Sequence, residues 1–111
     1  MPGETKFSPR DDLFAVDESV LTLLVTDSDD APLMVGVRGV PRPVSRTDIA
    51  TSGGVLAEGD VWWSLSAEDC ELVPQPDYRL VEPSGNRWQI LIQPEIHTQR
   101  TRWKCACRRV V

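Results

Sequence analysis

Apolar and polar residues alternate along much of the chain, which is the pattern of β-strands that bury one face. Val20 to Thr26, Leu33 to Val40 and Asp60 to Ser66 all show it. The last third of the chain has two apolar runs on either side of a Pro-Ser-Gly-Asn turn at residues 83–86, and then a third, tightly alternating run. Runs joined in this way predict a three-stranded antiparallel meander. The chain is therefore predicted to be all-β, a small antiparallel β-barrel or sandwich.

A period of two assigns one face of each strand to the core. The predicted core residues are Leu21, Leu23, Val25, Val35, Val37, Val61, Trp63, Leu65, Leu80, Trp88, Ile90, Ile92, Trp103 and Cys105. Trp62 lies on the opposite face of its strand, which faces either solvent or a partner. Because aromatic residues are enriched at the centres of interfaces, Trp62 is a candidate interface residue.

Two segments do not fit the strand pattern. Residues 1–17 contain few large apolar side chains and are predicted to form a flexible N-terminal arm, ahead of a single domain at residues 18–111. Within this arm, Phe7 and Phe14 are candidate anchors for the groove of a neighbouring subunit. The arm is predicted to be mobile in the free monomer and to become ordered on assembly.

The second segment, Val40 to Gly54, has no period and is predicted to be a long irregular loop. Two prolines restrict its entry and two glycines give its exit freedom. A loop of this kind either contacts a channel or partner or is a plain surface loop. Its candidate functional residues are Arg42, Arg46, Asp48, Gly53 and Gly54.

The charge is unevenly distributed, although the net charge of the 111 residues is only −5. Residues 1–30 hold eight acidic and two basic residues, whereas residues 98–111 hold five basic residues and no acidic one. Such a chain either neutralises itself, stacks head to tail with a copy, or has two solvated charged faces. No apolar run is long enough to span a membrane, and no signal peptide is apparent, so a cytosolic protein is expected.

Candidate chemistry is sparse. The three cysteines, an odd number, favour reduced thiols over a disulfide framework. Cys105 and Cys107 share one face of a strand, but their spacing is atypical of zinc sites and core packing is expected instead. His97, the single histidine, has no nucleophile motif near it in sequence. We predict no enzymatic activity, no metal and no cofactor.

The closing segments resemble those of small tailed-phage head–tail joining proteins, the head-completion or stopper proteins of the connector. The similar residues are Pro76–Leu80, Gly85–Ile90 and Arg102–Arg109, and the strand Val61–Leu65 and the segment Glu71–Pro74 also lie where that family has them. The resemblance covers roughly residues 55–111. It implies a small β-barrel that forms a homo-oligomeric ring in the virion, at the head–tail interface, after assembly in the host cytoplasm.

The resemblance also implies partners. They are a portal or adaptor protein on the head side, a tail terminator or tail protein on the tail side, and double-stranded DNA that passes through the channel without sequence recognition. The ring would retain packaged DNA and dock the tail. The predicted partner or ring-interface residues are Phe7, Phe14, Trp62, Arg102, Lys104 and Arg108.

Two alternatives remain open from the sequence. The first is another phage ring component, such as a tail terminator or a tail-tube protein. The second is a small soluble nucleic-acid-binding barrel, because the C-terminal strand is rich in basic residues. An isoelectric point near 4.7 argues against the second alternative.

Overall fold

The computed structural model describes residues 20–97 and 99–111. Its strands are β1 (Leu21–Thr26), β2 (Pro32–Pro43), β3 (Val61–Ser66), β4 (Arg79–Val81), β5 (Arg87–Ile90), β6 (Glu95–His97) and β7 (Arg102–Val110). A helix, α1 (Arg46–Thr51), lies between β2 and β3, and a 3-10 turn at Ala67–Asp69 follows β3. The predicted arm, with Phe7 and Phe14, lies outside the described residues.

Six strands close into an antiparallel barrel. They follow the order β3-β2-β1-β4-β5-β7, and the pairing of Val61–Ser66 with Arg102–Cys107 joins the two ends. β6 pairs with β7 beside β5. The all-β barrel and the meander of the last third are thereby confirmed. In this closed order β1 and β7 are three strands apart in either direction, so they lie on opposite sides of the barrel.

The barrel interior contains most of the predicted core. Trp63, Leu65, Leu80, Ile90, Cys105 and Cys107 are fully buried, and Leu23, Val25 and Val37 are buried with them. Leu21, Val61, Trp88 and Trp103 are half-buried and pack against this cluster. Trp63 and Trp88 contact each other edge to face, with ring centroids 6.3 Å apart. Their contact joins the wall at β3 to the wall at β5.

Two predicted core positions are wrong. Val35 is 81% exposed, because a bulge at Gly36 interrupts the alternation of β2. Leu23 pairs with Val37 but Leu24 pairs with Val35, which leaves Gly36 as the extra residue, with a φ of +75°. Met34 faces the core instead. Ile92 is 42% exposed because it lies beyond the end of β5.

The prediction that Val40 to Gly54 is irregular is also wrong in detail. The connection from β2 to β3 is long, but β2 continues to Pro43 and residues 46–51 are helical. Pro41 and Pro43 fit the strand because the Val44 N–H donates to the Asp60 carbonyl of the β3 side at 3.1 Å. Backbone groups alternate sides along a strand, so the two prolines lack their N–H on the side away from β3. Within the described ranges, no helix has the length and apolar character needed to cross a membrane.

Candidate interface on the outer face of the barrel

Helix α1 is fixed at its start by a capping box. Ser45 accepts a hydrogen bond from the Asp48 N–H at 3.0 Å, and the Asp48 carboxylate accepts one from the Ser45 N–H at 2.9 Å. This reciprocal pair satisfies two amide groups that the first turn leaves open. The hydrogen bond from the Ser45 backbone, with a second from the Trp62 indole, holds the pKa of Asp48 below its usual value.

Asp48 also joins the helix to the barrel. The Trp62 Nε1–H donates to Asp48 Oδ2 at 3.0 Å, so one carboxylate caps α1 and binds a side chain of β3. The Lys104 ammonium lies 4.3 Å from the centroid of the Trp62 ring, within the range of a cation–π contact. Ala106, which pairs with Trp62 across β3 and β7, is only 1% exposed although its side chain is on the outer face. A second, smaller apolar layer therefore covers the outside of the barrel here.

A pocket of about 180 Å³ opens in this outer layer. The helix and the turn after it contribute Asp48, Thr51, Ser52, Val55 and Leu56, and Trp62 and Ile92 complete the lining. Trp62 comes from β3, and Ile92 follows β5, the two strands that flank β7. The Leu91 N–H donates to the Ala106 carbonyl at 2.8 Å, which places the segment after β5 directly beside β7. The pocket thus lies over β7, with a lining that is mainly apolar.

A charged pair closes one end of this surface. Arg108 donates to the buried Asp60 carboxylate through Nε at 3.0 Å and Nη2 at 2.9 Å, and to the Val55 carbonyl at 3.1 Å. The Asp60 carboxylate also accepts from the Ala57 N–H at 2.8 Å. Burial raises the pKa of Asp60, but the hydrogen bonds and the Arg108 charge outweigh burial and keep that pKa below its usual value. The pair holds the end of the β2–β3 connection against β7.

The structure brings together residues that the sequence assigned to different sites. Asp48, predicted in a loop, bonds the indole N–H of Trp62, predicted at an interface, and Lys104 lies over the face of that indole. Arg108 is half-exposed and is engaged by Asp60 of its own chain. Arg42 and Arg46 are exposed at the end of β2 and the start of α1. Neither lines the pocket, although Arg42 pairs with Trp62 across β2 and β3. Phe7 and Phe14 lie outside the described residues.

The remaining predicted site residues, Gly53, Gly54 and Arg102, do not line the pocket. Gly53 and Gly54 follow α1 with φ values of +67° and +92°, which turn the chain back toward the pocket. Arg102 is half-buried on β7, two residues before Lys104. The pocket residues Val55, Leu56 and Ile92 were missed as a group. The motif Ser45-x-x-Asp48 could have indicated the helix that lines this pocket, because Ser and an acidic residue three positions later form a capping box at a helix start.

The thiols belong to the barrel interior. Cys105 and Cys107 are fully buried, and burial raises the pKa of both thiols. Burial also raises the pKa of the half-buried Cys70, to about 12. In the part of the chain that the structure describes, no three His, Cys, Asp or Glu side chains are grouped to hold a metal ion. These thiols pack as apolar groups.

The fold defines the protein as a small closed antiparallel β-barrel with a helix on its outer face. No protein-family model matches the chain, and no curated protein matches it. The chain is similar in structure to protein SF1141 from Shigella flexneri 2a, known from its solution structure. The two share 21% identity over 85% of this chain and 96% of the other, with a TM-score of 0.58. At this identity the similarity concerns the fold alone.

Proposed function

We propose that this chain is a structural protein of a tailed-phage head–tail connector, which forms a ring that closes the portal channel and docks the tail. The observation that carries the proposal is the outer layer over β7. There an apolar pocket, the half-buried Trp62 and the basic side chain of Lys104 form one surface on a rigid wall. Interface cores combine aromatic and apolar groups in this way and have a polar rim.

The resemblance of Pro76–Leu80, Gly85–Ile90 and Arg102–Arg109 to connector proteins supports the same reading. These segments contribute to β4, β5 and β7, three adjacent strands of the barrel. A ring is built by repeating one heterologous contact until it closes. Such a contact needs a receiving surface, which the pocket over β7 supplies in this proposal.

Particle assembly in the phage that encodes the chain tests the proposal. Removal of the gene is expected to give heads that lose their DNA and tails that stay unattached, and the wild-type protein restores both. Ile92→Glu, which places a carboxylate in the pocket lining, is expected to fail in this restoration. Ile96→Glu is the matched control, because Ile96 is 41% exposed, like Ile92 at 42%, but does not line the pocket. Normal DNA-filled, tailed particles without the gene would contradict the proposal, and particles that lack only a tail terminator or tube would favour that other ring role.

A nucleic-acid-binding barrel is the second candidate, and Trp62 favours it. This indole and the basic Lys104 share the outer face, which is the combination that single-stranded nucleic acid binds. Titration with short single strands should then quench part of the tryptophan fluorescence, of which Trp62 is one of four sources, with an affinity that falls steeply as salt rises. Absence of binding at low salt would remove this candidate.

A further inference from the structure

We propose that residues 45–52, which form α1 and its two caps, are a lid that opens and closes the pocket over β7. The lid's share of the pocket lining is polar and consists of Asp48, Thr51 and Ser52. The share of the fixed wall is apolar and consists of Val55, Leu56, Trp62 and Ile92. The closed lid therefore shields apolar side chains of the wall from water, and a space of about 180 Å³ remains between them.

Few contacts hold the lid closed. No residue of α1 is buried, so little burial of apolar surface favours the closed position. Among the described residues, the hydrogen bonds that join the lid to the rest of the chain end on only two of its residues. The Trp62 indole donates to Asp48 Oδ2 at 3.0 Å, and the Leu56 and Val55 N–H groups donate to Ser52 Oγ at 3.0 Å and to its carbonyl at 3.4 Å. The Asp48–Trp62 bond is thus the one latch between the lid and a strand.

The base of the lid, in contrast, is fixed at Asp60. The Val44 N–H donates to the Asp60 carbonyl at 3.1 Å, and the Asp60 N–H donates to the Ala57 carbonyl at 3.0 Å. Arg108 binds the Asp60 carboxylate and so joins this base to β7. Both ends of the connection between β2 and β3 therefore stay in place when the latch breaks.

A hinge separates the lid from this base. Gly53 and Gly54 have positive φ values, and no heavy atom beyond their neighbours in the chain lies within 4 Å of the position that a Cβ atom would take at either glycine. Glycine backbone in open space can change its dihedral angles at little cost. Hinges of moving segments are a few residues of this kind at the end of an element.

Opening of the lid exposes Leu56 and Trp62, which belong to the receiving surface of the proposed ring contact. In this respect the inference rests on the proposed function. The lid covers the apolar wall in the free chain and uncovers it when the ring forms. Exposed apolar patches promote association, so a covered wall delays contact between subunits until assembly.

Thiol labelling of the isolated full chain tests the lid. Leu56→Cys places a thiol in the pocket wall, at a side chain that is only 6% exposed. Opening of the lid should make this thiol react with a maleimide while the barrel stays closed. Cys105 and Cys107, inside the barrel of the same molecule, report whether the barrel has opened as well.

Trp62→Phe, added to Leu56→Cys, removes the latch and keeps an aromatic ring in the wall. Because a hydrogen bond to a charged group is lost, labelling at position 56 should become faster by about tenfold or more, with no change at Cys105 and Cys107. Trp88→Phe is the matched control, since it removes an indole bond to the Glu82 carboxylate outside the lid. It should leave the labelling rate at position 56 unchanged.

Two labelling results would overturn the lid. The first is an equal effect of Trp62→Phe and Trp88→Phe at position 56. The second is labelling of Cys105 and Cys107 at the rate of position 56, because the barrel and not the lid would then be opening.

Wild-type protein provides a second measurement that does not depend on the folding of a variant. The Leu56 N–H and the Trp62 indole N–H both donate to the lid, so hydrogen exchange at these two groups follows its opening. Lid opening exposes little surface, so this exchange should depend weakly on low urea concentrations, in contrast to the amides of β3 and β7. An equally steep dependence for all of these groups would contradict the lid.

These measurements separate the lid from the connector function, because they use the isolated chain. A lid that opens as expected, combined with normal particles after removal of the gene, overturns the connector function alone. A lid that does not open, combined with heads that lose their DNA when the gene is removed, overturns the lid alone.

Discussion

At the scale of single residues, Asp60 joins the β2–β3 connection to β7, although no motif in the sequence singles it out. Its carboxylate is 3% exposed and receives the guanidinium of Arg108 and the N–H of Ala57. Because Arg108 is half-exposed, part of its attraction is screened by solvent. The stabilisation that this pair contributes therefore comes mainly from the hydrogen bonds that the buried Asp60 carboxylate accepts.

Asp60→Asn should destabilise the protein at neutral pH by about 1–3 kcal/mol, since it weakens charge-assisted bonds in a buried position. The pKa of Asp60 is lowered in the folded state, so its stabilisation is complete above the ordinary value of 3.8 and is lost as pH falls through the lower folded value. Urea unfolding at neutral pH and in strong acid measures this difference. If the difference in free energy of unfolding between wild type and Asp60→Asn is as large in strong acid as at neutral pH, the ionised Asp60 carboxylate is not its source.

Gly39 is a second residue-scale constraint, and the reason is space. A Cβ atom at this position would lie 2.9 Å from Leu23 Cδ1, 3.0 Å from Leu65 Cδ2 and 3.2 Å from Trp63 Cε3. Gly39→Ala should therefore cost about 1–3 kcal/mol, the usual range for overpacking. Val35→Ala, in the same strand but 81% exposed, is the control and should change the free energy of unfolding little. Equal stability of the two variants in chemical denaturation would refute the steric reading.

At the scale of elements, α1 is a helix that its contacts hold in place. Six residues are too few for an isolated helix to be stable, and none of its residues is buried. Its capping box and the Asp48–Trp62 hydrogen bond supply the order instead. The apolar layer over Ala106 depends on this attachment.

Asp48→Ala should release α1 while the barrel stays folded. It removes the bonds from the Ser45 N–H and the Trp62 indole together. We expect amide exchange at residues 45–52 to become at least tenfold faster, with strands β3 and β7 unchanged, as measured by exchange with mass spectrometry. Thr47→Ala, an exposed change in the same helix, is the control. If both variants keep wild-type protection at these residues, the Asp48 carboxylate does not hold the helix.

The strands could be predicted from the sequence because period-two burial is a local signal. Three features were outside its reach. Gly36 shifts the phase of β2 through a bulge. A glycine within a strand, such as Gly36 or Gly39, indicates a bulge, but periodicity alone does not say which of the two shifts the phase. Pro41 and Pro43 suggest a break in the strand. In the structure both prolines occupy positions whose backbone N–H would point away from β3, so no hydrogen bond to β3 is lost, and only the pairing with β3 shows this. The pocket joins residues from α1, β3 and the segment after β5, so only tertiary contacts define it.

At the scale of the whole molecule, closure of the barrel makes the interior inaccessible. Six strands leave no gap between β3 and β7, and Cys105 and Cys107 face inward on the closing strand. Access to these thiols requires the barrel to open. Cys70, which lies after the 3-10 turn and is half-buried, does not require it to the same extent.

Thiol labelling should follow this difference. At neutral pH all three thiols are expected to react slowly in the native protein, because burial raises their pKa values and so depletes the thiolate. In increasing urea, Cys70 should be modified before the main unfolding transition. Cys105 and Cys107 should be modified only as the barrel unfolds in that transition. Maleimide labelling followed by peptide mass mapping gives the order, and a Cys70→Ser variant isolates the buried pair. Labelling of Cys105 well before global unfolding would show that the barrel opens locally.

Three of the four indole groups are spectroscopic reporters of different parts of the molecule. The Trp62 N–H is bonded to Asp48 at the base of α1, and the Trp88 N–H to Glu82 at 2.6 Å beside the β4–β5 turn. The Trp63 N–H, fully buried, has no acceptor among the described residues. A proton in a charge-assisted bond and one with no acceptor resonate at different frequencies. A single nitrogen–proton correlation spectrum can therefore follow helix attachment, the hairpin and the barrel interior at once, without an attached probe group.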